Sequence, residues 1–368
     1  MGKDPRTPKL REFLKHHLEV GTFPGAILAV VEGDRILDEG WGGWAVLEPE
    51  RIAVNRETTF DISSLTKPLA TGLLAILLSQ DGILQLSDSV KEYVPGFSGE
   101  GRDEVQVVDL LLHRSGLPAW VPLYLGGGGR LEMIQRLVCL PLACPPRSQV
   151  IYSCPGFILL GEVLRSAAGK DLDALFSERI AIPLGLQDTH FRPPPEMLRR
   201  CAATERGAGW ERSMAGKTGS SFSGWREGII WGEVHDGNAH GMGGVSGNAG
   251  LFSTAPDLLK LGREFLESGT GLIPSSWREE FRRNWTENRG EARSPGWQLA
   301  ETIGSAGFGT LPGESFGHTG FTGVSLWIQP DRNRVYLFLT NRIHPEAKRV
   351  DMNAVRREFH RLAGTMSS

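Results

Sequence analysis

The chain is short of cysteine, of tyrosine and of long apolar runs, and each shortage removes a class of explanation. Its four cysteines, Cys139, Cys144, Cys154 and Cys201, follow no framework spacing, which argues against a disulfide scaffold and for free thiols. No stretch reaches the roughly 20 apolar residues of a membrane helix, so no membrane span is expected. Neither sign of charge dominates. With 40 basic and 43 acidic residues interspersed and no basic arm, nucleic acid is not an expected partner. No repeat or low-complexity tract is visible. The polar opening Met1–Leu10 lacks the apolar core of a signal peptide, so the expected location is cytoplasmic, or periplasmic or extracellular if a leader has been removed. Oligomeric state is left open.

Against this background stands Ser64-Leu65-Thr66-Lys67, at the head of an apolar helix running to Leu78. A hydroxyl and an amine three residues apart share one helix face. A serine is a poor nucleophile until a neighbouring base takes its proton, and a buried lysine can do so if its pKa is lowered by several units. Leu65, Leu69, Leu73, Leu74, Ile76, Leu77 and Leu78 surround the helix axis, which predicts a helix packed on all sides. Pro68 favours a helix start close to Ser64, which places Ser64 at the positive end.

Two later segments complete a pattern: Tyr152 in Gln149-Val-Ile-Tyr-Ser-Cys-Pro-Gly156, and His318-Thr319-Gly320 just before the apolar strand Val324–Ile328. In order and spacing the chain resembles the serine hydrolases of the class C β-lactamase type, a family that also holds D-alanyl-D-alanine carboxypeptidases and β-lactamase-fold carboxylesterases. Its signature is Ser-x-x-Lys, Tyr-x-Asn and Lys/His-Thr-Gly. Asp109-Leu-Leu-Leu-His-Arg-Ser-Gly-Leu-Pro118 and Gly247-Asn-Ala-Gly-Leu251 add to the likeness, which covers about residue 20 onward. The resemblance implies Ser64 as acylated nucleophile, Lys67 as its proton partner and Tyr152 as the phenol that shuttles protons. It also implies an oxyanion hole from the N–H groups of Ser64 and Phe321, with His318, Thr319 and Gly320 along the substrate edge.

Cys154 departs from the pattern, standing where the family has asparagine; a thiol is a weak donor and a weak acceptor. His318 replaces the lysine of most β-lactamases and is only fractionally charged near neutral pH. Both departures favour small acyl esters over peptides or β-lactams. The expected substrate is a small ester or amide, with no cofactor and no metal. A D-amino-acid peptidase or weak β-lactamase is the alternative, and a non-catalytic binding relative is the reading from another class.

His235, Asp236 and His240 in Gly232–Gly244 match no standard zinc spacing. That run reads as a loop bordering the cleft, with His235 and Asp236 hydrogen-bonding within it. The ten tryptophans are expected mostly in packing. The expected fold class is α/β (α+β): a β-lactamase/transpeptidase-like antiparallel sheet, flanked by helices, with a mostly helical insertion. Residues 1–81 and 205–368 are assigned to the sheet and 82–204 to the insertion. A hairpin of Gly25–Val31 with Arg35–Trp41, a Thr254-capped helix with Asp257 three residues on, strands at 315–320, 324–328 and 335–340, and a final helix through Val355, Phe359 and Leu362 fill out the expectation.

Overall fold

The run Gly25–Glu32 has no polar face, and an antiparallel strand of that kind needs cover on both sides. The structure, a computed structural model describing residues 8–366, provides it. The strands are β1 (Gly25–Glu32), β2 (Arg35–Val46), β3 (Ile52–Ala53), β4 (Phe60–Asp61), β5 (Phe252–Ser253), β6 (Arg293–Ser294), β7 (Trp297–Leu299), β8 (Phe316–Thr319), β9 (Ser325–Gln329) and β10 (Arg334–Thr340). Eight of them form one antiparallel sheet in the order β3-β2-β1-β10-β9-β8-β7-β6, so both chain ends meet where β1 pairs with β10. β2 runs five residues beyond the expected Trp41, because its end pairs with β3.

Successive side chains of β1 point to opposite faces. Ala26, Leu28 and Val30 pack with Leu10, Phe13 and Phe359 of the terminal helices α1 (Pro8–Glu19) and α5 (Met352–Gly364). Ile27, Ala29 and Val31 belong to the larger core on the other face, shared with α2 (Leu73–Gln80), α3 (Cys154–Ala168) and α4 (Ala255–Arg263). Each large aliphatic side chain buried there contributes about 1.5–3 kcal/mol.

Two helix starts are capped differently. α3 begins at Cys154, because the Ser153 hydroxyl caps it by accepting the Gly156 N–H at 3.0 Å and Pro155 tolerates the first turn. Thr254 does precede α4, but no side-chain cap forms. Asp257 is drawn away, its Oδ2 accepting the Asp188 N–H at 2.8 Å and the Thr189 hydroxyl at 2.9 Å.

Gly247 joins α3 to the segment behind α2. A Cβ there would stand 2.0 Å from the Phe157 carbonyl oxygen, and that carbonyl is anchored in α3. Gly247→Ala is therefore expected to destabilise the protein by about 2–4 kcal/mol, read as a lower urea midpoint at unchanged m-value. An unchanged midpoint would show that the two backbones can separate freely.

Candidate active site

Asp61 ends β4 as a buried carboxylate that ties two segments together. Its Oδ1 accepts the Ser63 N–H and its Oδ2 the His235 N–H, each at 2.8 Å. Ser63 adopts φ +50°, a strained conformation for a residue with a Cβ. The chain then turns tightly through Ser63–Leu65, widens into a π-type turn over Lys67–Gly72 and continues as α2. Pro68 lies early in this helix, where its missing N–H leaves no bond unmade.

Lys67 is fully buried, and its Nζ donates to Ser64 Oγ at 3.0 Å and to the Asn248 carbonyl at 2.8 Å. The Thr71 hydroxyl holds the neighbouring Gly247 carbonyl at 2.8 Å, fixing the acceptor. The Tyr152 ring centre lies 5.0 Å from Nζ, its ring flanked by His113 at 4.6 Å and His318 at 5.7 Å, with the Arg293 guanidinium at 5.3 Å. Ser64, Lys67, Tyr152, Cys154 and the His318–Phe321 segment thus converge, although they come from three separate parts of the chain.

The protonation states differ from the sequence-based expectation. Burial pulls the Lys67 ammonium down, but the Cys154 thiol, the Tyr152 phenol and Asp236 more than offset this and hold it above the usual lysine range. Burial pushes the Tyr152 phenol up, and Lys67 and Ser64 only partly counter that. Burial likewise raises the Cys154 thiol, which Lys67 partly opposes. His318 is not fractionally charged: burial, then Arg293 and Lys67, drive it well below the usual histidine range, and its Nδ1 faces the Thr319 carbonyl at 2.8 Å. His113 is driven down the same way, and its Nδ1 accepts the Ser153 N–H at 2.9 Å.

Gly320 serves packing: a Cβ would stand 2.8 Å from the Ile62 carbonyl and 2.5 Å from a Val324 methyl, so glycine lets this strand end approach the Ser63 turn. The Phe321 N–H is not empty, since it donates to Ser63 Oγ at 3.2 Å. An oxyanion reaching that donor displaces the Ser63 hydroxyl. His235 and Asp236 border the cleft, but His235 does not bond within its loop; its ring pairs with Glu205 at 2.9 Å. Asp236 does act locally, accepting the Ala239 N–H at 2.8 Å at the head of a one-turn helix.

Two cavities open on Ser64. One, of about 240 Å³, is lined by Cys154, Trp120, Trp210 and Phe321. The other, of about 430 Å³, carries Thr319 and His318 with Arg293, Arg342 and Arg356. Sequence reasoning missed His113, Asn248, Trp210 and the arginines as site residues. His113 and Asn248 lie inside quoted motifs and were within reach; Arg293, Arg342 and Arg356 carry no local signal. Among the described residues no His, Cys, Asp and Glu cluster is arranged to hold a metal, and no helix is long and apolar enough to cross a membrane.

The family model described as Beta-lactamase matches residues 10–361. The "Putative D-alanyl-D-alanine carboxypeptidase" of Escherichia coli (strain K12) is 31% identical over 372 residues, covering 92% of this chain and 83% of that protein. The N-acetylmuramyl-L-alanine amidase of Bacillus subtilis (strain 168) is 30% identical, with 92% and 82% covered. Among solved structures, EstCE1, a hydrolase with promiscuous acyltransferase activity, superposes with a TM-score of 0.73 at 20% identity, covering 96% of this chain and 97% of that one. A class C beta lactamase from Rhodobacter sphaeroides does so with a TM-score of 0.73 at 20% identity, covering 97% and 99%.

Proposed function

This chain belongs to the beta-lactamase family of serine hydrolases, and on that footing we propose that it is a carboxylesterase that cleaves small acyl esters through an acyl-enzyme on Ser64. The observation that carries the reading is the contact of Lys67 Nζ with Ser64 Oγ beneath Tyr152, next to a cavity where Cys154 replaces an amide. In the reactive form the Lys67–Tyr152 pair lacks one proton. That pair takes the Ser64 proton as Oγ attacks the ester carbonyl, and the carbonyl electron pair moves onto oxygen. The oxyanion is held by the N–H groups of Ser64 and Phe321. Its collapse breaks the bond to the alcohol oxygen, which takes the proton from Tyr152. Water then repeats the sequence on the acyl-enzyme and releases the acid.

Cys154 supports an ester over an amide, because a thiol cannot bridge Lys67 and a substrate carbonyl as a carboxamide does. A second reading, hydrolysis of an amide whose leaving group carries a carboxylate, is favoured by the other cavity. Arg342 and Arg356 line it without an ion pair among the described residues; burial and then Arg342 push Arg356 down to about 9.

A matched p-nitrophenyl butyrate and butyryl p-nitroanilide separate the two. The ester should turn over and the anilide should not, and Cys154→Asn should raise the anilide-to-ester ratio of kcat/KM by about tenfold. Turnover of D-alanyl-D-alanine peptides at rates matching the ester, lost in Arg356→Met, would instead establish the second reading.

A further inference from the structure

The smaller cavity beside Ser64 is walled by aromatic rings, yet two carboxylates, Glu211 and Asp236, also line it. Glu211 is only 6% exposed, on the helix Gly209–Ala215, where its Oε1 accepts the Gly237 N–H at 2.8 Å. Burial raises its pKa and Asp236 beside it raises it further, against the smaller opposing pull of His235, the Gly237 N–H and the Tyr124 hydroxyl. Two acids sharing a small apolar cavity repel each other and gain from a cation between them.

The chain's own positive groups nearby, Lys67, His235, Arg226 and Arg342, are each held by other partners. Lys67 feels Asp236, but its hydrogen bonds go to Ser64 and the Asn248 carbonyl. His235 is committed to Glu205. Arg226 donates to the Val234 carbonyl at 2.6 Å and to the His235 carbonyl, and faces Glu233 at 3.9 Å. Arg342 lies over the Phe321 ring at 4.9 Å and donates to the Phe321 carbonyl at 3.0 Å. Among the described residues neither Glu211 nor Asp236 takes part in an ion pair.

The rings suit a cation as well. Trp210 and Phe321 lie 5.4 Å apart at 49°, and Trp120 faces the same space. Aromatic faces with nearby carboxylates attract organic ammonium groups, and most strongly when desolvated. The cavity also touches Ser64 itself, so whatever fills it belongs to the molecule being acylated or cleaved.

We propose that this cavity selects substrates whose acyl group ends in an organic ammonium, held between Glu211 and Asp236 against Trp120, Trp210 and Phe321. The inference rests on the hydrolase reading and narrows its substrate class: the carbonyl sits at Ser64 Oγ and the cationic end of the acyl chain enters the smaller cavity.

The test uses two isosteric p-nitrophenyl esters, of 4-(trimethylammonio)butyrate and of 5,5-dimethylhexanoate, which differ in one positive charge. Wild type should prefer the cationic ester by about tenfold or more in kcat/KM. In Glu211→Gln/Asp236→Asn the cationic-to-neutral ratio of kcat/KM, read within the same enzyme, should fall to near unity, whatever change in the neutral ester follows from removing the Asp236 charge near Lys67. Binding is read separately in Ser64→Ala by quenching of tryptophan fluorescence. The amide of 4-(trimethylammonio)butyrate should saturate the signal, and the amide of 5,5-dimethylhexanoate should not. Saturable binding of the cationic amide without turnover of either ester would keep this inference and overturn the hydrolase reading. Turnover of the neutral ester at an equal or higher rate, with no saturable binding of the cationic amide, would overturn the inference and keep the hydrolase. Loss of both signals in a double variant with altered circular dichroism would move the comparison to Asp236→Asn alone, whose partly exposed side chain tolerates the change.

Discussion

Ser64→Ala is expected to abolish covalent capture by a fluorophosphonate, leaving the intact mass unchanged, and to lower kcat/KM for p-nitrophenyl butyrate by about 10⁴-fold or more, roughly 5.5 kcal/mol of transition-state stabilisation. The size of the loss follows from covalent catalysis: without the hydroxyl, the Lys67–Tyr152 pair has no nucleophile to deprotonate and only the oxyanion donors remain. Its neighbour provides the control. Ser63 also carries a hydroxyl in the cleft, but that group accepts the Phe321 N–H, whereas the Lys67 ammonium contacts Ser64. Ser63→Ala should therefore keep the adduct. An adduct that survives Ser64→Ala and disappears in Ser63→Ala would reverse the assignment of the two serines.

Tyr152→Phe should cost about 10²–10⁴-fold in kcat/KM with little change in stability, since the ring keeps its contacts with His113 and His318 and only the proton carrier is lost. The pH profile of the wild type supplies the sign. Lys67 and Tyr152 both hold their protons above the usual range, and the reactive form has one proton fewer on that pair. The reactive fraction therefore grows as pH rises, and kcat/KM should climb from about pH 6 to about pH 9 without a plateau. His113 and His318 are driven well below the ordinary histidine range, so both stay neutral there and add no limb. A plateau by about pH 7, or a histidine-like limb removed by a His318 substitution, would overturn this account.

The difference in Lys67 illustrates how far sequence reasoning reached. A three-residue spacing on a helix is a local property, so the pairing of Ser64 with Lys67 was legible. The direction of the lysine's pKa was not, because it is decided by Cys154 and Tyr152, about 85 residues downstream, and by Asp236 still further on. His318 shows the same division: its strand was readable from the apolar run after it, while its neutrality depends on burial and on Arg293 beyond a sheet turn. Asn248 contributes through a backbone carbonyl 181 residues from Lys67, a role any residue type could fill and no side-chain pattern announces.

By itself the sequence determined the hairpin near the start, the strands and helix that close the chain, the buried helix behind Ser64 and the order of the three motifs, because alternation, apolar runs and short spacings act through neighbours along the chain. That both chain ends join in one antiparallel sheet was implied by the family resemblance and is set by the long-range pairing of β1 with β10. Tertiary structure alone decided which groups carry protons, that the Ser63 hydroxyl covers the Phe321 N–H, and that Glu211 and Asp236 share one aromatic cavity. Those features depend on desolvation and on Coulomb interactions that fall off over a few ångströms in space, whatever the distance along the chain.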